Sequence, residues 1–480
     1  MYESTLGLDL LGVRAAASEN EVAILDDGLT RRTTWGELYL QAMSVAARLA
    51  DAGLGPGDRV AILAPAGAPF AAGLHACLRL GVAVVPLSPR GPALGLAPQL
   101  VDARVRAVLC DGEDGLLAAD AVAAAGLDTP VLPLLGSEGT GGGEGFGVGF
   151  DAGRDACVLY TSGTTGAPKG VRLTLANHLA SSAGCAEALG CWEPHDRWLL
   201  VLSPHHVGGF SVLMRSVVEG QTVVTVPRFE ERAVIEGLGH DVTLVSLVPA
   251  MLERLLVAGG LGALRRLRAV LLGGAPASPA RVREWADLGI PVCPTYGLTE
   301  TCSQVATVPV GAAAELAGAA GLVHSEAHLE VVDAGADGVG EIVVSGPVVS
   351  PGYVGEGVAG FLESPHRFRT GDLGRLDTDG VLWVSGRFDD TIITGGENVQ
   401  PAEVEAVLAA HPGVLDVAVR GVPDSTYGMV LEALVVGDAD LASLQSWVGQ
   451  RLPRFKVPRR WVSVESLPRN SGGKLVRREL

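Results

Sequence analysis

The chain has 480 residues, enough for a large core and for more than one domain. Its formal net charge of −18 argues against general nucleic-acid binding. Every apolar run is broken by Gly, Pro or charge well short of the ~18 residues a membrane span needs, and the start, "MYESTLGLDLLGVRAAASEN", lacks the basic head and apolar run of a signal peptide.

From about residue 59 to 300, short β-rich runs alternate with Ala/Leu-rich segments. The runs are "RVAILAP", "AVVPLSP", "ACVLYTSG", "WLLVLSP", "TLVSLVP" and "AVLLGGAP". Strands apolar throughout, separated by helical lengths, predict parallel sheets covered on both faces, hence an α/β fold. "GTGGGEGFGVG" (139–149) is expected to be a loop, because no strand leads into it.

"YTSGTTGAPKG" (160–170) is the most specific stretch. A strand runs into Thr161, Ser162, Gly163, Thr164, Thr165 and Lys169. Glycines free backbone N–H groups to surround an anion, hydroxyls add donors, and the lysine adds charge. It is not the G-x-x-x-x-G-K-[ST] loop, since Pro168 precedes the lysine and Gly170 follows it.

Residues 325–385 read as β-rich and turn-rich, a small subdomain. The style changes after "GRFDD", which sets a boundary near Arg387–Asp389 and domains of 1–386 and 387–480. Beyond it comes strand, loop, helix, strand, the helix having Pro401 near its start and Val404, Val407 and Leu408 on one face. This predicts a small α+β C-terminal domain. Among 36 basic residues only three are lysines: Lys169, Lys456 and Lys474. Residues 451–480 hold nine Lys/Arg against Glu465 and Glu479, a basic end suited to a small polyanion or to a solvated face. Lys456 is expected to be a solvated charge. The seven cysteines include no C-x-x-C pair, so buried, reduced thiols in a cytoplasmic protein are expected, and no metal site built from them.

Taken together these motifs resemble the adenylate-forming superfamily: acyl- and aryl-CoA ligases, adenylation domains and luciferases. "YTSGTTGAPKG" resembles its phosphate loop, "LLGGAP" (271–276) and "TYGLTE" (295–300) its adenine and Mg²⁺ segments, and "TGD" (370–372) its ribose motif. "GRFDDTIITGGEN" (386–398) resembles its hinge, and "RNSGGKLVRREL" (469–480) its catalytic-lysine tail.

The resemblance implies a large N-terminal domain and a mobile C-terminal lid, with ATP, Mg²⁺ and coenzyme A as partners of a carboxylic acid. Lys169 and the loop hydroxyls would cradle the outer phosphates. Thr299 would reach the α-phosphate and Glu300 would hold Mg²⁺. Gly273, Gly274 and Ala275 would give adenine a close backbone approach, with Tyr296 stacked on it. Asp372 would accept the ribose hydroxyls, assisted by Arg387. Lys474 would sit between substrate carboxylate and α-phosphate, where a compact ammonium fits better than a planar guanidinium. After rotation about Asp389, Gly395 and Gly396 would line a pantetheine tunnel.

"SPHHVGGFSVLMRSVVEG" (203–220) resembles the acyl-pocket segment of the o-succinylbenzoate–CoA ligases of menaquinone biosynthesis. His206 would gate that pocket, with Gly208 and Gly209 making space for the ligand. His205 departs from the aromatic residue many relatives carry. Arg215 would meet the acid's second carboxylate or form an exposed pair with Glu219, and Thr301, Ser303 and Gln304 would add donors. Another aryl- or fatty acyl-CoA ligase, or an enzyme that loads a carrier protein, shares the same motifs. A homo-oligomer is compatible with the sequence.

Overall fold

The computed structural model describes residues 9–26, 30–112, 114–135, 151–162, 168–193, 195–226, 228–355, 362–364, 366–394, 397–424, 427–469 and 475–480. The six apolar runs are all strands: Arg59–Leu63, Ala83–Leu87, Asp155–Ser162, Arg197–Leu200, Leu244–Leu247 and Ala269–Leu272. They divide between two sheets. In the first, Val292–Leu298, Ala269–Leu272, Leu244–Leu247, Arg197–Leu200, Thr222–Thr225 and Val22–Asp26 lie side by side and parallel. In the second, Asp155–Ser162 leads a parallel set through Ala83–Leu87, Arg59–Leu63 and Ala107–Cys110 to Val131–Pro133.

One apolar cluster fills the space between the sheets. Ile24, Trp198 and Val223 reach it from the first sheet, and Val60, Ile62 and Leu109 from the second. Helices Trp35–Asp51 and Ala68–Arg79 lie in the same cluster through Leu38, Ala42, Val45 and Leu49 and through Phe70 and Leu74. The first helix starts at a capping box, Thr34 with Glu37, which satisfies two end donors reciprocally.

The β-rich stretch expected at 325–385 is present, with an apolar cluster of its own that includes Leu329, Ile342, Val344, Phe368 and Leu382. Its strands His328–Val332, Gly340–Ser345 and Arg367–Leu376 pair antiparallel and extend the first sheet through Val381–Arg387, Gly321–Val323 and Ser303–Thr307. Val381–Arg387 is the last strand of that sheet in chain order, and the next, Ile392–Thr394, belongs to a separate five-stranded sheet. There, helices Pro401–Ala409 and Leu441–Gly449 pack Val404, Leu408, Leu444 and Val448 onto Val419, Leu431 and Ala433. Val407 is only partly buried beside them. Lys456 is not a free surface charge. Its ammonium pairs with Glu403, at 2.8 Å from Oε1, and ties the turn Arg454–Lys456 to the first helix.

Leu408 is fully buried in this small core. Leu408→Ala should cost about 2–5 kcal/mol, read as a lower urea midpoint for unfolding of the C-terminal part.

Candidate active site

The phosphate-loop sequence connects two antiparallel strands, Asp155–Ser162 and Pro168–Thr174, with Thr161 facing Lys169 across the hairpin. Gly163, Thr164 and Thr165 lie outside the described residues, as does the side chain of Ser162. Gly170 is a close-approach position: a Cβ there would lie 2.5 Å from Val354 Cγ2. Lys169 is half-buried, and its ammonium lies 5.6 Å from the centroid of the Tyr353 ring.

Glu300 sits in the single turn Thr299–Thr301, which lies against the strand carrying Lys169. Thr301 is fully buried, and its hydroxyl accepts from Leu298 N at 3.0 Å while facing the carbonyls of Leu298 and Ser303 at 3.1 and 3.0 Å. The role expected for it, a donor to substrate, is replaced by another: its hydroxyl closes the turn that presents Glu300. Glu300 Oε1 accepts from the Tyr353 hydroxyl at 2.8 Å. Burial, reinforced by the Glu300 charge, holds that phenol well above its ordinary pKa, so it remains a donor. A half-buried carboxylate is a hard oxygen ligand, and this donor chemistry fits Mg²⁺.

Gly273, Gly274 and Ala275 leave the carboxyl end of strand Ala269–Leu272, next to parallel Val292–Leu298, which carries Tyr296. Ligands of open parallel sheets bind at such ends. Gly274 has φ +76°, a left-handed turn that favours glycine. The Tyr296 hydroxyl donates to Asp372 Oδ2 at 2.6 Å, and Arg387 Nη1 donates to Asp372 Oδ1 at 3.0 Å. Burial first, then the Asp372 charge, keeps the Tyr296 phenol protonated. Asp372 and Arg387 are register partners on neighbouring strands, and Phe388 N bonds Gly371 O at 2.8 Å just before exposed Asp389. Gly395, Gly396 and Lys474 lie outside the described residues.

In the acyl-pocket segment, His206 is the exposed cap residue of helix Val207–Glu219, its ring 4.4 Å from that of His205. His205 is pushed down to about 3, by burial first and then by His206 and Arg90, so it is neutral; its Nδ1 lies 2.5 Å from Ser203 Oγ. Gly209 does not make room for a ligand. A Cβ there would lie 2.4 Å from the carbonyl oxygens of Leu202 and Ser203, so glycine lets the helix dock on the preceding backbone.

Arg215 does not form the exposed pair with Glu219 that the spacing allowed. It is 2% exposed, and Nη2 donates to Gln304 Oε1 at 2.9 Å and Ser181 Oγ at 3.3 Å. Gln304 Oε1 also accepts from Ser303 Oγ at 2.6 Å. Among the described residues Arg215 makes no ion pair, and its buried Nε and the buried Nε2 of Gln304 have no partner. Its neighbours are kept neutral: His178 is pushed down to about 3, by burial first and then by the Arg215 charge. The bond from Arg215 to Gln304 and the bond from Tyr353 to Glu300 were both hidden from sequence reasoning, because each joins distant segments with no local pattern.

The family model for AMP-binding enzymes matches residues 12–354, and that for the AMP-binding enzyme C-terminal domain matches 403–474. A 2-succinylbenzoate–CoA ligase of Bacillus licheniformis is 36% identical, covering 97% of this chain and 98% of its own. One from Geobacillus kaustophilus is 38% identical, covering 97% and 96%. The o-succinylbenzoate coenzyme A synthetase of Bacillus subtilis, solved in complex with ATP and magnesium ion, has a TM-score of 0.87 at 32% identity, covering 98% of this chain and 99% of its own.

Burial pushes His75 and His324 down to about 4 as it does His178 to about 3. In the unfolded chain these rings titrate near ~6.5. The unfolded state therefore binds more protons below that pH, and stability present above it is lost as pH falls toward about 4. Urea midpoints should drop across this window, and the three ring signals should not titrate by NMR above pH ~5. Titration near 6.5 would mean solvated rings.

Proposed function

We propose that this chain, which belongs to the AMP-binding enzyme family, is an AMP-forming 2-succinylbenzoate–CoA ligase. The acid's carboxylate attacks the ATP α-phosphate, giving acyl-AMP and pyrophosphate. The thiolate of coenzyme A then attacks the acyl carbon and releases AMP. The observation that carries the choice of acid is Arg215, a buried guanidinium without an ion pair among the described residues, linked through Gln304 and Ser303 to the segment behind Glu300. 2-Succinylbenzoate has two carboxylates: one reacts, and the other gains from a fixed positive charge that a monoacid cannot use. Arg215 acts on specificity as a fixed positive charge behind Gln304, whose Oε1 accepts from both Arg215 and Ser303.

The first step brings two anions together, so its catalysis is neutralisation and alignment. In our reading Thr161, Ser162, Gly163, Thr164, Thr165 and Lys169 hold the outer phosphates, and Thr299 meets the α-phosphate. Glu300 would hold Mg²⁺, which when bound would supply positive charge against the phosphates. Gly273, Gly274, Ala275 and Tyr296 receive adenine. The hydroxyl bond from Tyr296 to Asp372 ties the stacking ring to the carboxylate assigned to the ribose. Lys474 stabilises charge between carboxylate and α-phosphate. His206 stands at the pocket mouth. The C-terminal part, 387–480, moves about Asp389, after which Gly395 and Gly396 line the path of the CoA thiol. Among the described residues no helix is long and apolar enough to cross a membrane, and all seven cysteines are unpaired thiols. The unpaired thiols suit the reducing cytoplasm in which we place the enzyme, and the proposed acid places it in menaquinone synthesis.

The test is ATP- and Mg²⁺-dependent AMP release with CoA, comparing 2-succinylbenzoate with benzoate, 4-hydroxybenzoate, hexanoate and palmitate. Strong preference for 2-succinylbenzoate is expected; preference for another acid overturns the substrate and leaves the chemistry. Arg215→Ala should lower kcat/KM for 2-succinylbenzoate more than for benzoate, by at least about tenfold. Equal losses would remove Arg215 from specificity. Lys474→Ala should slow adenylation by several orders of magnitude and barely change CoA attack on preformed acyl-AMP. Equal loss in both steps would contradict the rotation about Asp389.

A further inference from the structure

We propose that Tyr353 is a positioning residue that keeps Glu300 and Lys169 apart and correctly aimed. The inference rests on the reading above, in which Glu300 serves Mg²⁺ and Lys169 the phosphates.

The two side chains carry opposite charges on adjoining elements. A flexible ammonium and a flexible carboxylate on adjoining elements can close into an ion pair. Such a pair would neutralise the metal ligand and the phosphate-binding cation together. Among the described residues no Lys169–Glu300 ion pair forms. Tyr353 engages both: its hydroxyl donates to Glu300 Oε1 at 2.8 Å, and its ring centroid lies 5.6 Å from the Lys169 ammonium. The aromatic face attracts the cation and the phenol O–H attracts the anion, so one side chain serves as spacer for both.

Its own position is set by backbone. Strand Gly352–Tyr353 pairs antiparallel with the strand of Lys169, Tyr353 opposite Val171. Val354 N bonds Gly170 O at 2.8 Å. On the other side, Ser350 N bonds Glu300 O at 2.9 Å, and the Ser350 hydroxyl donates to Arg172 O at 2.6 Å. Tyr353 is thus fixed to both elements whose charged groups it separates. The phenol holds Glu300 Oε1, which restrains the carboxylate and lets Oε2 serve a metal.

The experiment is calorimetry of ATP binding to the full chain, with Mg²⁺ and with EDTA, alongside the Mg²⁺ dependence of adenylation. Tyr353→Phe keeps the ring and removes the hydroxyl. It should weaken Mg²⁺-ATP binding and raise the half-saturating Mg²⁺ by about tenfold, leaving metal-free ATP binding unchanged. Tyr353→Leu removes the ring too and should weaken metal-free binding as well. Near-UV circular dichroism checks the fold of each variant. Glu300→Gln is the control that separates the two levels. If Glu300→Gln raises the Mg²⁺ requirement and Tyr353→Phe does not, the positioning role is overturned and the reading of Glu300 stands. If Glu300→Gln leaves metal dependence untouched, both fall. Equal weakening of ATP binding with and without Mg²⁺ in Tyr353→Phe would reduce Tyr353 to general support and also overturn the proposal.

Discussion

The hydrogen bond from Ser350 N to the Glu300 carbonyl, 2.9 Å long, joins the two sheets where their chemistry meets. Glu300 follows the last parallel strand of the first sheet, while Gly352–Tyr353 is the edge strand of the second. Asn177 reinforces the junction, donating to Pro347 O and Val349 O at 2.7 and 3.0 Å from the helix that follows the phosphate hairpin. The Glu300 turn and the hairpin that carries Lys169 grow from different sheets, and contacts of this kind help to set the distance between them. Main-chain bonds are suited to the task, because they do not change rotamer.

Arg215 adds a second constraint, this one electrostatic. Burying a guanidinium among neutral groups costs stability, since each ion loses several kcal/mol of hydration on transfer inward. The chain offsets part of that through Gln304, Ser181 and the face of Trp198, whose ring centroid is 5.6 Å from the guanidinium carbon. It adds no carboxylate within ion-pair distance among the described residues. A carboxylate there would stabilise the fold and neutralise the pocket. Under the role proposed for Arg215, fold stability and recognition of an anion pull in opposite directions at this site.

Much of the architecture was legible because buried parallel strands must be apolar on both faces. All six runs read as strands are strands. Long-range partnerships were less legible. The β-rich character of 325–385 was legible, but its local pattern carries no information on which edge its strands will join. Gly208–Gly209 looked like room for a ligand, yet the residue facing Gly209 is backbone of the chain itself. Thr301 looked like a substrate donor, but its hydroxyl is one of the bonds of its own turn. Tyr353 showed nothing in sequence, since its partners Glu300 and Lys169 precede it by more than 50 residues. Glu300 and Asp372 stand out in the sequence because short motifs surround them, and the structure gives each a buried or half-buried place beside a tyrosine hydroxyl.

The scarcity of lysine has a chemical consequence of its own. An acyl-adenylate is an activated electrophile, and any free amine it meets can become an amide. This chain offers three lysine side chains, and one of them, Lys456, is held as an ammonium against Glu403. Arginine supplies nearly all the remaining positive charge, and a guanidinium that stays protonated is a poor nucleophile. The protein surface is therefore close to inert toward the mixed anhydride formed within it, and intermediate that escapes finds little on its maker to modify.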